Sequence, residues 1–367
     1  MRNKLKLGIL YGGRSGEHEV SLMSARSVLS VINHEKFDVF EIGITRQGQW
    51  LAGADLWTKL QNEQTEDLVP AIFQPSPQTP GIFTLQNGQM TLLSTLDVIF
   101  PVMHGSYSED GTLQGLFELA DIAYVGAGVL GSSVCMDKGL FKDIMMANDI
   151  PTLPYLVINR SDLQENLDEC LDAAENIASY PLFTKPANLG SSVGISKCNN
   201  RSDLIEGVMD AARYDRRIVI EKGVPDPREI EISVLGNENP KTSVPGEIIP
   251  KDIFYTYSEK YINDTAELLI PANLPGEMAS QIQSLAILAY RATDCAGMAR
   301  VDFLIDRESD AIYLNEINTI PGFTKISMYP KLWEASGLKY SDLIEALIDL
   351  ALARKAQRDQ TEREFRS

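Results

Sequence analysis

Two short stretches carry the strongest signal in this sequence: ARVDF at residues 299–303 and LNEIN at residues 314–318. Each alternates apolar and polar residues, which is the pattern of a β-strand with one buried face. Because the side-chain period of a strand is two, the arginine and aspartate of the first stretch share a face, as do the glutamate and asparagine of the second. The pattern predicts two neighbouring strands that present charged and amide side chains together.

If the two strands are neighbours, Asp302, Glu316 and Asn318 offer two carboxylates and an amide oxygen to one place. Hard oxygen ligands of this kind suit Mg2+, which shares its coordination with phosphate groups. The alternative is a ladder of surface salt bridges with Arg300, since charged pairs across strands are common. These stretches alone do not separate a metal site from such a ladder.

A second signal is the stretch TKPANLGSSVG at residues 184–194. Its glycines let backbone N–H groups approach phosphate oxygens, its serines add hydroxyl donors, and Lys185 supplies a cation. A Gly-Ser turn in a hairpin is the alternative. The spacing is not that of a P-loop, and the glycines at 12 and 13 do not form GxGxxG, so neither common nucleotide fold is favoured.

Charged and aromatic residues also stand in predicted loops. Glu17 follows the first predicted strand and His104 follows the third, where α/β folds bind ligands, although His104 could instead be a buried structural histidine. Glu221 and Lys222 end an apolar strand, where either an adenine-binding hinge or a solvated charge pair is expected. The aromatic stretch at 254–261 is either a lid or an exposed loop.

The composition argues against several classes of protein. A formal net charge of -18 repels nucleic acid and anionic membranes at long range. The four cysteines include no CxxC pair, which favours reduced, buried thiols over a disulfide framework or a zinc site. The N-terminus has no signal-peptide pattern and no apolar stretch is long enough to span a membrane, so we expect a cytoplasmic protein.

With 367 residues the chain is long enough for two or three domains. Strands near 6–11, 38–44 and 97–101, alternating with helices, predict a parallel α/β sheet up to about residue 120. Between the last two of these strands, the proline-rich segment 70–80 is expected to be a surface loop.

A smaller α+β domain is expected next, with one helix over residues 132–148. Several β-rich runs follow residue 215, then two amphipathic helices. The charged tail, residues 354–367, is interpreted as a frayed, solvated helix end.

Taken in order, these motifs resemble the D-alanine–D-alanine ligases of the ATP-grasp superfamily, from Gly12 to about Leu350. The resemblance implies an α/β and α+β fold of three domains. These would be a Rossmann-like parallel-sheet domain that binds substrate at 1–122, a central ATP-grasp domain at 123–215, and a catalytic ATP-grasp domain at 216–367 with a lid loop at 250–267.

The resemblance also implies the ligands and the assembly. ATP, two Mg2+ ions (Mn2+ being a possible substitute) and D-alanine would bind. No nucleic-acid or membrane partner is implied, and a homodimer is expected. The activity would be ligation of two D-alanines through an acyl phosphate, for peptidoglycan precursor synthesis.

Site residues follow from the resemblance position by position. ATP would be bound by Lys138, Lys185, Ser191, Ser192, Glu221, Lys222, Val224 and Glu229, and the metal ions by Asp302, Glu316 and Asn318. The substrates would contact Glu17, His104 and Ser327. Catalysis would depend on Glu17, Ser191, Lys260, Tyr261, Arg300 and Gly322, the last two forming the oxyanion site.

The sequence departs from the family pattern at three positions. Ser108 stands where the family's His-Gly motif usually has glycine, so that loop is expected to be stiffer or reshaped. Thr184 replaces the more usual valine, and Lys325 stands where a small or amide residue is more common. An extra cation at 325 could alter affinity for the second substrate.

Two alternatives remain open from the sequence. One is a ligase of the same family that makes D-alanyl-D-lactate or D-alanyl-D-serine, and Tyr261 weighs against the lactate product. The other is a non-catalytic ATP-binding regulator on the same fold, because a fold alone does not decide function.

Overall fold

The computed structural model describes residues 4–190, 193–249 and 267–362, and these form three β-sheets with helices around them. The first sheet has eight strands in the order β6-β5-β4-β3-β2-β1-β7-β8. Its strands are β1 Leu5–Gly12, β2 Phe37–Ile44, β3 Trp50–Ala52, β4 Val69–Gln74, β5 Gly81–Gln86, β6 Gln89–Thr95, β7 Val98–Val102 and β8 Ala123–Tyr124. The helices between them are α1 His18–Leu29, α2 Leu56–Gln61 and α3 Thr112–Leu119.

The predicted parallel sheet is confirmed for β2, β1, β7 and β8, which pair in parallel. The loop predicted over residues 70–80 is wrong for its first half, because β4 covers Val69–Gln74 and pairs with β3 and β5. Ala71 and Phe73 alternate inward on this strand while Pro70 is exposed. Pro70 removes only one backbone donor, and that loss did not prevent pairing.

Two short helices lead into the second sheet: α4 Val129–Met136 and α5 Lys138–Ala147. The single helix predicted over 132–148 is therefore wrong. Asp137 has extended backbone angles and caps α5, with its side chain accepting hydrogen bonds from the N–H groups of Gly139 and Leu140. A side chain that satisfies free N–H groups in this way starts a new helix. The break sets Lys138 at the first position of α5.

The second sheet has four antiparallel strands in the order β11-β10-β12-β9. These are β9 Tyr155–Asn159, β10 Leu182–Pro186, β11 Ser196–Cys198 and β12 Arg217–Lys222. Its helices are α6 Arg160–Glu165, α7 Leu167–Ile177 and α8 Arg201–Tyr214. β12 pairs within this sheet although it lies past residue 215, and the domain boundaries at 122 and 215 stay a prediction.

The third sheet runs β16-β15-β13-β17-β18, with β14 paired to β13. Its strands are β13 Arg228–Leu235, β14 Lys241–Thr242, β15 Gly246–Ile249, β16 Glu267–Leu269, β17 Met298–Ile305 and β18 Ile312–Asn318. The helices of this part are α9 Gly276–Ala292, α10 Met328–Ala335 and α11 Tyr340–Arg358. Helix α9 was not predicted from the sequence.

The C-terminal helix α11 packs back on the first sheet. Leu343, Leu347 and Ile348 are buried in one core with Leu7 and Val98. The interpretation of residues 354–367 as a frayed end is wrong for its first residues, since the Arg354 guanidinium donates to the carbonyl oxygens of Gly126 and Tyr124 at 2.6 and 3.2 Å. These bonds join the last turns of α11 to the end of β8 in the first sheet.

Candidate active site

Strands β17 and β18 are neighbours, as the alternating pattern predicts. Their antiparallel register sets Arg300 opposite Asn318 and Asp302 opposite Glu316. Arg300 donates to Asp302 through Nε and Nη2, at 2.8 and 2.7 Å, and its Nε also lies 3.0 Å from the Glu231 carboxylate on β13. The Asn318 amide nitrogen donates to Asp302 at 3.0 Å. Arg300 and Asp302 therefore do form a salt bridge. The side chains that could bind a metal, Asp302, Glu316 and Asn318, nevertheless lie together on the two strands.

The donors on these strands suit a metal that is shared with a ligand. Among the described residues, no group of three or more histidine, cysteine or acidic side chains could hold a metal ion by itself. Asp302 and Glu316 supply only two carboxylates, on paired positions. One or two protein carboxylates plus substrate phosphates is the usual environment of Mg2+. The set fits Mg2+ beside a polyphosphate better than a metal held by protein alone.

A cleft gathers residues from all three parts of the fold. Glu17 comes from the start of α1, Lys138 from the start of α5, and Arg300, Glu316 and Asn318 from the third sheet. Gly190 also lines the cleft, immediately before Ser191 and Ser192, which lie outside the described residues together with Lys260 and Tyr261. Residues far apart in the sequence thus converge here.

Glu17 lies at the end of the loop after β1, where α1 begins. Its backbone N–H donates to Ser15 Oγ at 3.2 Å, and that hydroxyl donates to the carbonyl of His104 at 2.8 Å. Gly105 has a φ of +77°, and a Cβ on it would lie 2.6 Å from Glu17 Oε2. Any larger residue would combine strained backbone with a clash against the carboxylate. This close approach explains the glycine after His104.

His104 holds a loop rather than presenting a ring nitrogen to the cleft. Its Nδ1 lies 3.0 Å from the Ile320 carbonyl, which can only accept, so Nδ1 carries the proton. Its Nε2 then accepts from Ser24 Oγ at 3.1 Å. Burial lowers the pKa of His104, consistent with a neutral ring. The geometry favours the structural interpretation over direct substrate contact.

The loop that carries Gly322 is held by residues of α1 and of the loop after β7. Besides the bond to His104, the Ile320 N–H donates to Glu109 Oε1 at 3.1 Å, and the Phe323 N–H donates to Ser24 Oγ at 3.2 Å. Gly322 itself is buried between these anchors. Ser327, farther along, is the N-cap residue of α10 and its Oγ lies 2.8 Å from the Thr324 hydroxyl.

Glu109 is a cleft residue that was not among the predicted site residues. Its second oxygen accepts from the Gly105 N–H at 2.8 Å, so the carboxyl joins the loop after β7 to the loop after β18. Burial, followed by the negative charge of Glu17, raises the pKa of Glu109 to about 8. The sequence signal was its place in the loop after His104, but nothing in sequence showed that it would face a second acid.

A separate cluster of charges lies one helical turn along α5 from Lys138. Lys142 lies 2.9 Å from Glu221 Oε2, and Lys185 pairs with the other oxygen of Glu221. Burial acts to raise the pKa of Glu221, but the two lysine charges outweigh it and hold the pKa at about 2. Lys142 was missed, because in sequence it is only one more lysine on a helix. The Glu221 carboxylate thus faces two lysines.

The other predicted nucleotide residues lie beside the glycine loop, at the end of β12 and near the start of β13. Lys138 donates from Nζ to the Leu189 carbonyl at 2.7 Å, beside the glycine loop. The Lys222 N–H donates to the Pro154 carbonyl at 2.9 Å, and Val224 is buried just beyond the strand. Glu229 pairs with Leu304 of β17.

Ser108 is buried, and its hydroxyl has no hydrogen-bond partner within the described part of the chain. Its backbone carbonyl accepts from Gln114 Nε2 at 2.7 Å. The loop is thereby tied to α3 beside Glu109.

Comparison with known proteins agrees with this geometry. Family models described as D-ala D-ala ligase N-terminus and C-terminus match residues 6–127 and 144–349. A D-alanine–D-alanine ligase of Natranaerobius thermophilus is 46% identical, over 99% of each chain.

Solved structures agree as well. The D-alanine-D-alanine ligase of Coxiella burnetii superposes with a TM-score of 0.82 at 34% identity, covering 97% of this chain and 96% of the other. The VanG D-Ala:D-Ser ligase of Enterococcus faecalis gives 0.84 at 34% identity, covering 95% and 100%.

The three sheets and the shared cleft define an enzyme with the ATP-grasp fold. The cleft contains acids (Glu17, Glu316), an amide (Asn318) and cations (Lys138, Arg300), which are the groups that an ATP-dependent ligation requires. The chain belongs to the D-alanine–D-alanine ligase family. Members of this family use ATP and Mg2+. No helix in the described ranges is both long and apolar enough to cross a membrane.

Proposed function

We propose that the cleft joins two D-alanines into D-alanyl-D-alanine at the expense of ATP, through a D-alanyl phosphate, for peptidoglycan precursor synthesis. The observation that carries this proposal is the convergence of Glu17, Lys138 and Arg300 with Glu316 and Asn318 on one cleft. It offers an anion for an ammonium group, cations for phosphate and a carboxylate, and oxygen ligands for a metal.

The first D-alanine would place its ammonium against Glu17 and its carboxylate toward the phosphate-binding side of the cleft. A carboxylate is a poor electrophile, so it must be phosphorylated before an amine can attack it. Two anions repel each other during that step, and cations in a site shielded from water offset the repulsion. Lys138 would supply such a cation, since it lines the cleft and its ammonium is oriented by the Leu189 carbonyl.

The oxyanion of the tetrahedral intermediate would lie between Arg300 and the Gly322 N–H. Arg300 is oriented by Asp302 and Glu231, and the Gly322 loop by the bonds to Ser24, His104 and Glu109. Donors fixed in advance need no reorganisation during the reaction, which is where their catalytic value lies. In this assignment His104 acts on the substrate only through the loop. Ser327 would bind the carboxylate of the second D-alanine.

The nucleotide would lie along Lys138, Lys185 and the serines at 191 and 192, with adenine against Lys222 and Val224 and the ribose on Glu229. Since the Glu221 carboxylate faces Lys142 and Lys185, its part in adenine binding would come from its backbone. Two Mg2+ ions, or Mn2+ in their place, would be held by Asp302, Glu316 and Asn318. When bound, they would neutralise phosphate charge.

Several finer points belong to the same proposal. The domain limits would be 1–122, 123–215 and 216–367, with a lid at 250–267 that carries Lys260 and Tyr261. Tyr261 would be linked through Ser191 to Glu17, which would order the lid over the acyl phosphate and exclude water. The enzyme would act in the cytoplasm as a homodimer.

The test is product identification by mass after incubation with ATP, Mg2+ and a mixture of D-alanine, D-serine and D-lactate. D-alanyl-D-alanine as the main product supports the proposal. D-alanyl-D-serine is the second candidate, because a D-Ala:D-Ser ligase superposes as well as a D-alanine–D-alanine ligase does. A main product with serine or lactate would overturn the substrate assignment. ATP binding with no D-alanine-dependent ADP release would overturn the enzyme assignment in favour of a regulator.

A further inference from the structure

Two cysteines meet beside the catalytic cleft. Cys135 lies on α4 and Cys295 in the turn between α9 and β17, and their sulfur atoms are 3.6 Å apart. All four cysteines are free thiols, and Cys135 lines the cleft that also contains Lys138 and Arg300. Nothing in the proposed ligation uses either thiol.

The approach of the two segments is built into their backbones. Gly131 lies one turn before Cys135 on the same face of α4, and a Cβ on it would lie 2.7 Å from the Asp294 carbonyl oxygen. The absence of a side chain at Gly131 lets α4 rest directly on the residue that precedes Cys295. The sulfur contact therefore comes from close packing of main chains.

A disulfide needs the sulfurs to come together by only about 1.5 Å, since an S–S bond is about 2.05 Å long. The remaining cysteines provide an internal contrast. Cys170 and Cys198 are buried in the core around the second sheet. Within the described chain, this pair alone combines two thiols in contact with a member that lines the cleft.

We propose that Cys135 and Cys295 are an oxidation site at which a peroxide forms a reversible disulfide that inactivates the enzyme. Peroxide would oxidise the Cys135 thiol to a sulfenic acid with release of water. The Cys295 thiol would then attack that sulfur, forming the S–S bond and releasing a second water. The two electrons pass to the peroxide, and a dithiol reductant reverses the change.

Inactivation follows from what the bond would join. Cys135 lies three residues before Lys138, just ahead of the break at Asp137, and Cys295 lies five residues before Arg300. Drawing the two sulfurs together pulls the last turn of α4 toward the start of β17 and displaces cleft residues on both sides. Burial raises the pKa of the Cys135 thiol, so the reaction should be slow at neutral pH and faster in alkaline buffer.

The experiment exposes the full-length enzyme to hydrogen peroxide, removes the excess with catalase, and follows both ADP release and peptide masses. We expect a cross-linked peptide pair containing Cys135 and Cys295, loss of most of the activity, and recovery with dithiothreitol. ATP and Mg2+ present during exposure should slow the cross-linking, because they fill the cleft through which peroxide reaches Cys135.

Matched variants separate this pair from general oxidative damage. Cys295→Ala should lose the cross-link. With no resolving thiol, its Cys135 sulfenic acid should be oxidised further to sulfinic acid under continued peroxide, so that dithiothreitol no longer restores the activity measured against its own untreated sample. The double variant Cys170→Ser and Cys198→Ser should keep both the cross-link and the recovery with dithiothreitol. If peroxide oxidises cysteines of the enzyme with its natural sequence but forms no Cys135–Cys295 cross-link, the proposal is overturned. This result does not depend on any variant folding. A complete cross-link with unchanged ADP release would overturn the inactivation.

Discussion

Two groups of charged side chains each include one lysine of α5, and they differ in what their charges face. The first, around Lys138, opens into the cleft with Glu17, Arg300 and Glu316. The second, called here the buried triad, consists of Lys142, Glu221 and Lys185, whose side chains are 2%, 3% and 12% exposed. In the buried triad the three charges face one another. The cleft group lines an open volume, and within it Arg300 is also paired with Asp302 and Glu231.

The difference between the groups separates stability from ligand binding. Charges removed from water must be paired within the protein, and losing one partner is costly. Charges lining an open cleft are partly solvated, so losing one costs little in folding and much in the chemistry they support. Lys185 belongs to the buried triad but is its most exposed member and lies next to the glycine loop. It is therefore expected to contribute both to stability and to ligand binding.

The largest effect is expected in the cleft. Glu316→Gln keeps the size of the side chain but removes one of two carboxylates beside Asn318, and turnover should fall by roughly two to three orders of magnitude. ADP release in the presence of D-alanine measures it, and thermal unfolding should change little. Glu334→Gln, an exposed acid on α10, is the matched control and should turn over normally. Near-normal turnover of a folded Glu316→Gln enzyme at ordinary Mg2+ would refute the metal assignment.

In the buried triad the expected effect is on folding. Lys142→Met leaves Glu221 with a single cation, and the free energy of unfolding should fall by about 3 kcal/mol, near the lower end of the range for breaking a buried ion pair. Denaturant unfolding measures this change. Adding Glu221→Gln to the same chain should recover part of the loss, because the unpaired carboxylate is then gone. A loss below about 1 kcal/mol in the single variant would place this group among ordinary surface pairs.

Lys185 should show a smaller and mixed effect. Lys185→Ala should raise the ATP concentration needed for half-maximal rate by about ten- to a hundred-fold, the value of a charge-assisted hydrogen bond, with little change for D-alanine. Steady-state kinetics with each substrate varied would measure both requirements. The control is Lys197→Ala on the neighbouring strand β11, which should change neither. If only the D-alanine requirement changes, the glycine loop serves the other substrate.

The sequence predicted those parts of the fold that have a local periodic signal. The neighbouring strands with Arg300 and Asp302, and the parallel strands of the first sheet, were recovered because alternation and strand-helix order are visible in one segment at a time. The break at Asp137 was missed, since the apolar pattern continues across it and only the cap geometry divides the helices. β4 was missed because its proline count outweighed a short alternating pattern.

The site was predictable where a motif has a fixed spacing and not where contact depends on packing. Glu17, Lys138 and Glu316 were named from motifs and do share the cleft. The partners that orient them, such as Glu231 for Arg300 and Lys142 for Glu221, come from other strands and helices, so no sequence spacing points to them. The motif around His104 predicted a functional residue. It did not show that both ring nitrogens are already hydrogen-bonded to the protein and so do not face a substrate.

Glu109 offers the most specific test, because its half-buried carboxyl lines the cleft yet accepts hydrogen bonds from two backbone N–H groups. Its pKa is raised from 4.5 to about 8, so between those values the folded protein holds a proton that the unfolded chain has released. Its contribution to stability is therefore full below about pH 4.5 and is lost as the pH rises through about 8, with a slope of at most about 1.4 kcal/mol per pH unit.

Glu109→Gln cannot lose a proton, so this part of the slope should disappear. At low pH the variant should be less stable, since its amide nitrogen must face one of the two backbone N–H donors that the carboxyl now accepts from. The two curves of unfolding free energy should converge as the pH rises from 5 and cross before about 9, because the total loss over the Glu109 titration exceeds the cost of about 1–3 kcal/mol for one unsatisfied donor. Parallel curves across that range would show that Glu109 is already ionised in the folded enzyme and belongs with the open charges of the cleft.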